Sequence, residues 1–230
     1  MTIGIIGAMD EEIRLLKKEM DVKEEVEIAG CQLYKGTLSG KEIVLLKSGI
    51  GKVNAAMSTT ILHEQCKPSV VVNTGSAGGF AKDLEVGDLV ISDRVVYHDV
   101  DVTAFDYEYG QVPAMPPYYE ADKKLISLAI EATEHVKGMN AKKGLIATGD
   151  SFMSDPGRVE FVRHKFPTME AAEMEAAAIA QVCYHYRTPF VIIRALSDIA
   201  GKESSVSFEK FIDQAGRHSA SLIMNMIKKL

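Results

Sequence analysis

The sequence has no tryptophan, only three cysteines and only seven prolines in 230 residues. Cys31, Cys66 and Cys183 lie far apart. So sparse and odd a set argues against a disulfide framework, and no pair has metal-ligand spacing. It predicts a reducing, cytoplasmic setting. No apolar run approaches the roughly 20 residues of a membrane span, so no membrane partner is expected. The first residues, Met1 to Met9, lack a basic n-region and lead straight into Asp10-Glu11-Glu12. They read as a first strand rather than a signal peptide. Basic residues never cluster beyond pairs such as Lys17-Lys18 and Lys142-Lys143, and the net charge is −6. Nucleic acid is therefore not expected as a partner, because its binders usually show a basic face. The six histidines show no paired metal spacing, and His98-Asp99-Val100-Asp101 is too local to hold an ion. We expect no metal and no cofactor.

What the chain does contain is an ordinary globular composition, 47% hydrophobic and 25% charged. No repeat, low-complexity tract or linker divides it, which predicts one domain over residues 1–230. Strand-like runs occur at Ile3–Ile6, Gln32–Leu38, Glu42–Lys47, Val70–Asn73, Leu89–Val96, Gly144–Thr148 and Phe190–Leu196. Helical spacing occurs at Glu11–Met20, Val53–Cys66, Lys123–His135, Arg158–Lys165, Met174–Tyr186 and Phe208–Lys229. The alternation predicts an α/β fold: a mixed, mostly parallel central sheet with helices on both faces. One segment breaks the pattern. Residues 98–119 carry Phe105, Tyr107, Tyr109, Tyr118 and Tyr119, and Pro113, Pro116 and Pro117 preclude a helix near the end. A loop so rich in aromatics is either folded over its own core or a subunit interface, and we favour the interface.

Several short motifs could carry chemistry. The strand Phe190–Leu196 holds Arg194 and runs into Ser197-Asp198, which reads either as a helix N-cap or as an acid delivered to the ligand edge of an open sheet. Asn73-Thr74-Gly75-Ser76-Ala77-Gly78-Gly79 follows a strand and reads as a turn. It is either a plain glycine-rich connection or a site where Gly78 and its neighbours let a ligand approach the backbone while Ser76 offers a hydroxyl. Glu173-Met174-Glu175 sits among alanines. It is either an acidic first helical turn or a carboxylate placed for vicinal hydroxyls. Phe152, after the strand Gly144–Thr148, is either a core aromatic or a stacking surface for a planar ring. The Gly4–Met9 stretch lacks the dinucleotide fingerprint. Ser48–Val53 lacks the Walker spacing, which excludes an ATPase.

Taken in order, Gly-Ala-Met-Asp-Glu-Glu (7–12), Ser-Gly-Ile-Gly-Lys-Val-Asn-Ala-Ala (48–56), Asn-Thr-Gly-Ser-Ala-Gly-Gly (73–79), Glu-Met-Glu-Ala (173–176) and Arg-Ala-Leu-Ser-Asp (194–198) closely resemble the bacterial 5′-methylthioadenosine/S-adenosylhomocysteine nucleosidase family. That family is a branch of the purine nucleoside phosphorylase and uridine phosphorylase superfamily. The resemblance covers essentially the whole chain, including the aromatic loop from His98 to Phe105. It implies hydrolysis of the N-glycosidic bond of adenine nucleoside thioethers, with 5′-deoxyadenosine as a further substrate. By position, Asp198 would protonate adenine N7 with Ser197 orienting it. Glu12 would activate the attacking water, helped by Arg194 and Ser76. Glu175 would bind the ribose hydroxyls and Met174 would pack on the sugar. Phe152 would stack on adenine, and Met153 would offer backbone groups to its edge. Met9, Ile50 and Phe208 would line the 5′-alkylthio pocket. Val102, Phe105 and Pro113 of a second subunit would close it, in a homodimer. Ala172 and Asp10 depart from the residues common there, at positions away from the proposed catalytic groups.

The chemistry agrees with these expectations. Adenine leaves poorly as an anion, so a carboxylic acid must face the base. The transition state resembles an oxocarbenium ion, which nearby carboxylates stabilise. Two other functions remain: a phosphorylase with the same fold, and a nucleoside-binding protein without catalysis. Phosphate needs cations or N–H donors, whereas the N-terminal loop carries Asp10, Glu11 and Glu12. Pure binding would need neither Glu12 nor Asp198.

Overall fold

The computed structural model describes residues 1–134, 140–202 and 204–230. It is built on one mixed sheet. Strand β1 (Thr2–Gly7) lies between β4 (Lys41–Lys47) and β5 (Val70–Gly79), parallel to both. Ile3, Ile5 and Ile6 on β1 are fully buried, as a strand covered on both faces requires. Each such side chain contributes about 1.5–3 kcal/mol by leaving water. Beyond β4, β3 (Cys31–Leu38) and β2 (Asp21–Ile28) add antiparallel strands. On the other side, β10 (Phe190–Ile199), β6 (Leu89–Tyr97), β8 (Ala141–Thr148) and β9 (Met169–Glu173) pair in turn. Both β9 and β10 also pair with β5, which closes this half of the sheet into a ring. The short β7 (Tyr119–Glu120) pairs with β6.

Helices α1 (Asp10–Glu19), α2 (Lys52–Cys66), α3 (Lys123–Thr133), α4 (Pro156–Lys165), α5 (Ala176–Tyr186) and α6 (Ser204–Lys229) flank the sheet. Of the helix expected over Lys123–His135, the last residue lies outside the described residues. Helix α6 packs closely on α1: a Cβ at Gly216 would lie 2.4 Å from the Glu11 carbonyl oxygen. No helix among the described residues is long and apolar enough to cross a membrane. Among them, no three His, Cys, Asp or Glu side chains are grouped to hold a metal.

Three of the motif readings fail, all near strand ends. The Asn73–Gly79 segment is not a turn, because β5 runs through it to Gly79. Its glycines are needed for close approach: a Cβ at Gly79 would meet Leu196 at 2.8 Å. Ser197 and Asp198 do not cap a helix. They belong to β10, and α6 starts only at Ser204. Glu173-Met174-Glu175 is not the first turn of α5, for Glu173 ends β9 and Glu175 is the residue before the helix.

Candidate active site

The carboxyl ends of β1, β5, β9 and β10 converge on a cavity of about 370 Å³. Its wall holds most of the candidates that the sequence offers. Glu12, Ser76, Gly78, Glu175, Ser197 and Asp198 supply the polar side, and Met9, Ile50, Phe152, Met174 and Phe208 the apolar side. Ser205 and Glu209, which no motif had singled out, also line it, as does Glu173, the first acid of the Glu173-Met174-Glu175 motif. Among the described residues, no lysine, arginine or histidine lines it.

Glu12 sits in the first turn of α1, where the strand-to-helix turn after β1 leaves free N–H groups. Its Oε2 accepts hydrogen bonds from the N–H groups of Ala8 (2.7 Å) and Met9 (3.2 Å). Its Oε1 accepts from the Ser76 N–H (2.9 Å) and hydroxyl (3.1 Å). Four donors thus clamp one buried carboxylate between β1 and β5.

Asp198 reaches the cavity through a bulge. Leu196 pairs with Ala77, but Asp198 pairs with Gly78, leaving Ser197 as the extra residue. Side chains alternate with period two, so the bulge turns Asp198 onto the face that carries Ser76. A regular strand would have put it on the face of Arg194. Ser197 donates its hydroxyl to Asp198 Oδ1 at 2.9 Å. Gly78 leaves Oδ2 uncovered, since a Cβ there would stand only 3.2 Å from it. Burial raises the Asp198 pKa above the ordinary carboxylate range, against the pull of the Ser197 and Ser204 hydroxyls.

Arg194 is 1% exposed, on the opposite parity of β10. The family resemblance sets it beside Glu12 as a helper of the water, but its hydrogen bond goes to Glu173 rather than Glu12. Its Nη2 donates to Glu173 and lies 3.7 Å from Glu175. The reason is reach: Glu173 and Glu175, at the end of β9 and just beyond it, flank the guanidinium directly. Nη1 points the other way, so that a Cβ at Gly75 would lie 2.5 Å from it and 2.7 Å from Glu12 Oε1. Burial works against the arginine's charge, but Glu173, Glu175 and Glu12 outweigh it and leave its pKa raised.

Glu175 accepts the Gly51 N–H at 2.8 Å, which ties it to the turn before α2. Burial and the neighbouring Glu173 push its pKa up to about 8, against the opposing field of Arg194. Phe152 is 42% exposed at the cavity, which excludes a core role, and it meets Phe208 edge-to-face with centroids 5.7 Å apart. Its loop is anchored because Asp150 accepts the Lys52 N–H at 2.8 Å and donates its own N–H to Asp99 at 3.0 Å. Met153 does not line the cavity: it is buried, and its carbonyl already accepts the Gly201 N–H at 3.1 Å. Val102, Phe105 and Pro113 do not line their own chain's cavity either. Phe105 is 75% exposed on the 98–119 loop.

Comparison with known proteins agrees with this architecture. The family model of the phosphorylase superfamily matches residues 2–228. The chain is 63% identical over 230 residues to the 5′-methylthioadenosine/S-adenosylhomocysteine nucleosidase of Oceanobacillus iheyensis, covering 100% of both chains. Among solved structures, it is 49% identical to the corresponding nucleosidase of Colwellia psychrerythraea in complex with adenine, with a TM-score of 0.98, covering 100% of this chain and 96% of that one. It is 45% identical to that of Neisseria meningitidis in complex with methylthio-immucillin-A, with a TM-score of 0.97, covering 100% and 99%. The chain belongs to the 5′-methylthioadenosine/S-adenosylhomocysteine nucleosidase family of the phosphorylase superfamily.

Proposed function

We propose that this chain hydrolyses the N-glycosidic bond of 5′-methylthioadenosine and S-adenosylhomocysteine, releasing adenine and the 5-thio-substituted ribose. The observation that carries the reading is the pairing of a clamped carboxylate, Glu12, with a buried acid of raised pKa, Asp198, on one cavity. Asp198 Oδ1 is engaged by Ser197, so Oδ2 is the oxygen that gives its proton to adenine N7. The C1′–N9 electron pair then leaves on a neutral base. A water held by Glu12 adds its oxygen to C1′ and yields its proton to Glu12. The positive sugar ring formed in between is stabilised by Glu12. Glu175 accepts the ribose hydroxyls, Met174 packs on the sugar, and Phe152 stacks on the base. Met9, Ile50 and Phe208 form the apolar end, which suits a thioether and penalises a free hydroxyl.

Water rather than phosphate is the nucleophile because the described wall carries acids and no cationic side chain. The exposed Phe105 supports a homodimer in which Val102, Phe105 and Pro113 of one protomer cover its partner's cavity. Three free cysteines support a reducing, cytoplasmic setting. The test is incubation with methylthioadenosine, with and without phosphate. Adenine and free methylthioribose in both arms support hydrolysis. A strict phosphate requirement with sugar 1-phosphate formed overturns it in favour of a phosphorylase, and no adenine in either arm leaves only binding.

A further inference from the structure

Glu173 belongs to a motif whose other carboxylate, Glu175, faces the ribose, yet Glu173 is the more connected acid of the two. Its Oε1 accepts the Thr148 hydroxyl. Its Oε2 accepts from Arg194 Nη2, from the Glu175 N–H at 3.0 Å and from the Ala176 N–H at 2.8 Å. The Thr148 oxygen in turn accepts the Ala177 N–H at 2.8 Å. Glu173, Thr148 and Arg194 are all buried. One carboxylate therefore fixes both the guanidinium and the free N–H groups at the start of α5, the turn that aims Glu175.

We infer that Glu173 is a positioning residue, which with Thr148 holds Arg194 behind the cavity wall and Glu175 on it as one rigid unit. This rests on the proposed role of Glu175 toward the ribose hydroxyls. Three elements present charge to Glu175: β9 through Glu173, β10 through Arg194, and α1 through Glu12. Glu173 disfavours ionisation of Glu175 and Arg194 favours it. Glu173 thus sets where Glu175 lies and how readily it becomes the carboxylate that accepts hydroxyl hydrogen bonds.

The experiment measures kcat/KM for methylthioadenosine against pH in the full-length wild type, Glu173→Gln, Thr148→Val and Thr148→Ser. For Glu173→Gln we expect a loss of roughly 10- to 100-fold, with the acid limb of the profile moved to lower pH. A purely structural role would lower the whole profile without moving that limb, and that result overturns the inference. Should Glu173→Gln not fold, the threonine pair decides. Thr148→Val keeps the volume but loses the hydroxyl, and Thr148→Ser keeps the hydroxyl but loses the methyl. We expect the valine variant to lose about tenfold and the serine variant to stay within about twofold of wild type. The reverse order, or equal loss in both, overturns the inference. A wild type that releases no adenine overturns the proposed function instead, and an active wild type with an unmoved Glu173→Gln limb overturns only this assignment.

Discussion

Replacing Gly75 with alanine adds one methyl group between the two charged groups that face each other across the end of β5. That Cβ would lie 2.5 Å from Arg194 Nη1, 2.7 Å from Glu12 Oε1 and 3.0 Å from Glu12 Cδ. Comfortable contact needs about 3.5 Å, so each group must retreat by roughly 1 Å. Neither can do so freely. Glu12 is clamped by four donors, and Arg194 is ion-paired to Glu173 and paired in register with Gly75 itself. A displacement of that size in a catalytic group costs on the order of 100-fold in rate. The crowding should also cost about 1–3 kcal/mol of stability. The assay is adenine release from methylthioadenosine, with thermal unfolding measured alongside. A Gly75→Ala enzyme that keeps kcat/KM within about threefold of wild type would refute the claim that this gap is part of the site.

Asp198→Asn removes the proton donor while preserving shape, so turnover should fall by about 100-fold or more while an adenine-containing inhibitor still binds in calorimetry; robust turnover would sink the general-acid role. Glu12→Gln keeps the four-donor clamp only in part and removes a negative charge beside the proposed water, so turnover should nearly vanish and inhibition by phosphate should strengthen. If phosphate inhibits both forms equally, Glu12 does not act as the charge that repels it. The Glu175 pKa is raised from 4.5 in the ordinary case to about 8 in the folded chain. Over that window the folded state keeps a proton that the unfolded state has released, so stability must fall as pH rises through it, by at most about 1.4 kcal/mol per pH unit. Glu175→Gln should flatten that slope in urea unfolding series, and an unchanged slope would remove Glu175 as its source.

Much of the fold was legible because its strongest signals are local. The buried runs of β1 and β10 and the periodic helices needed only composition and spacing. What escaped was decided by neighbours. β2, with sequence Asp-Val-Lys-Glu-Glu-Val-Glu-Ile, is exposed at most positions, and no apolar run announces it. It exists because β3 offers an unpaired edge: a Cβ at Gly36 would stand 2.1 Å from the Asp21 carbonyl oxygen. β9 is five residues long with no apolar run to announce it, and it forms because β8 and β5 pair with it. Motif order singled out Glu12, Ser76, Glu175 and Asp198, and all four reach one cavity. The partner of Arg194 was not readable, because it depends on which side of β10 each residue faces and on where β9 ends. The bulge at Ser197 that turns Asp198 into the cavity has no sequence signal of its own.

The same geometry explains why charge, rather than shape alone, should decide the chemistry. Glu12, Glu173, Glu175 and Asp198 are all buried around one cavity, and one buried guanidinium answers them. Arg194 is already engaged by Glu173 and Glu175, so it does not neutralise the remainder. Burial therefore makes a full set of ionised carboxylates costly, and it raises the pKa of both Asp198 and Glu175. A proton held on Asp198 is what the proposed departure of the base requires. In the proposed reaction a carboxylate at Glu12 favours a cationic sugar ring over a neutral one, so the transition state would gain more than the bound substrate does. A phosphate would add charge of the sign the site already has in excess. On that proposal the tie between Arg194 and Glu173 would matter beyond packing, because it occupies the nearest cation that could serve an anionic nucleophile.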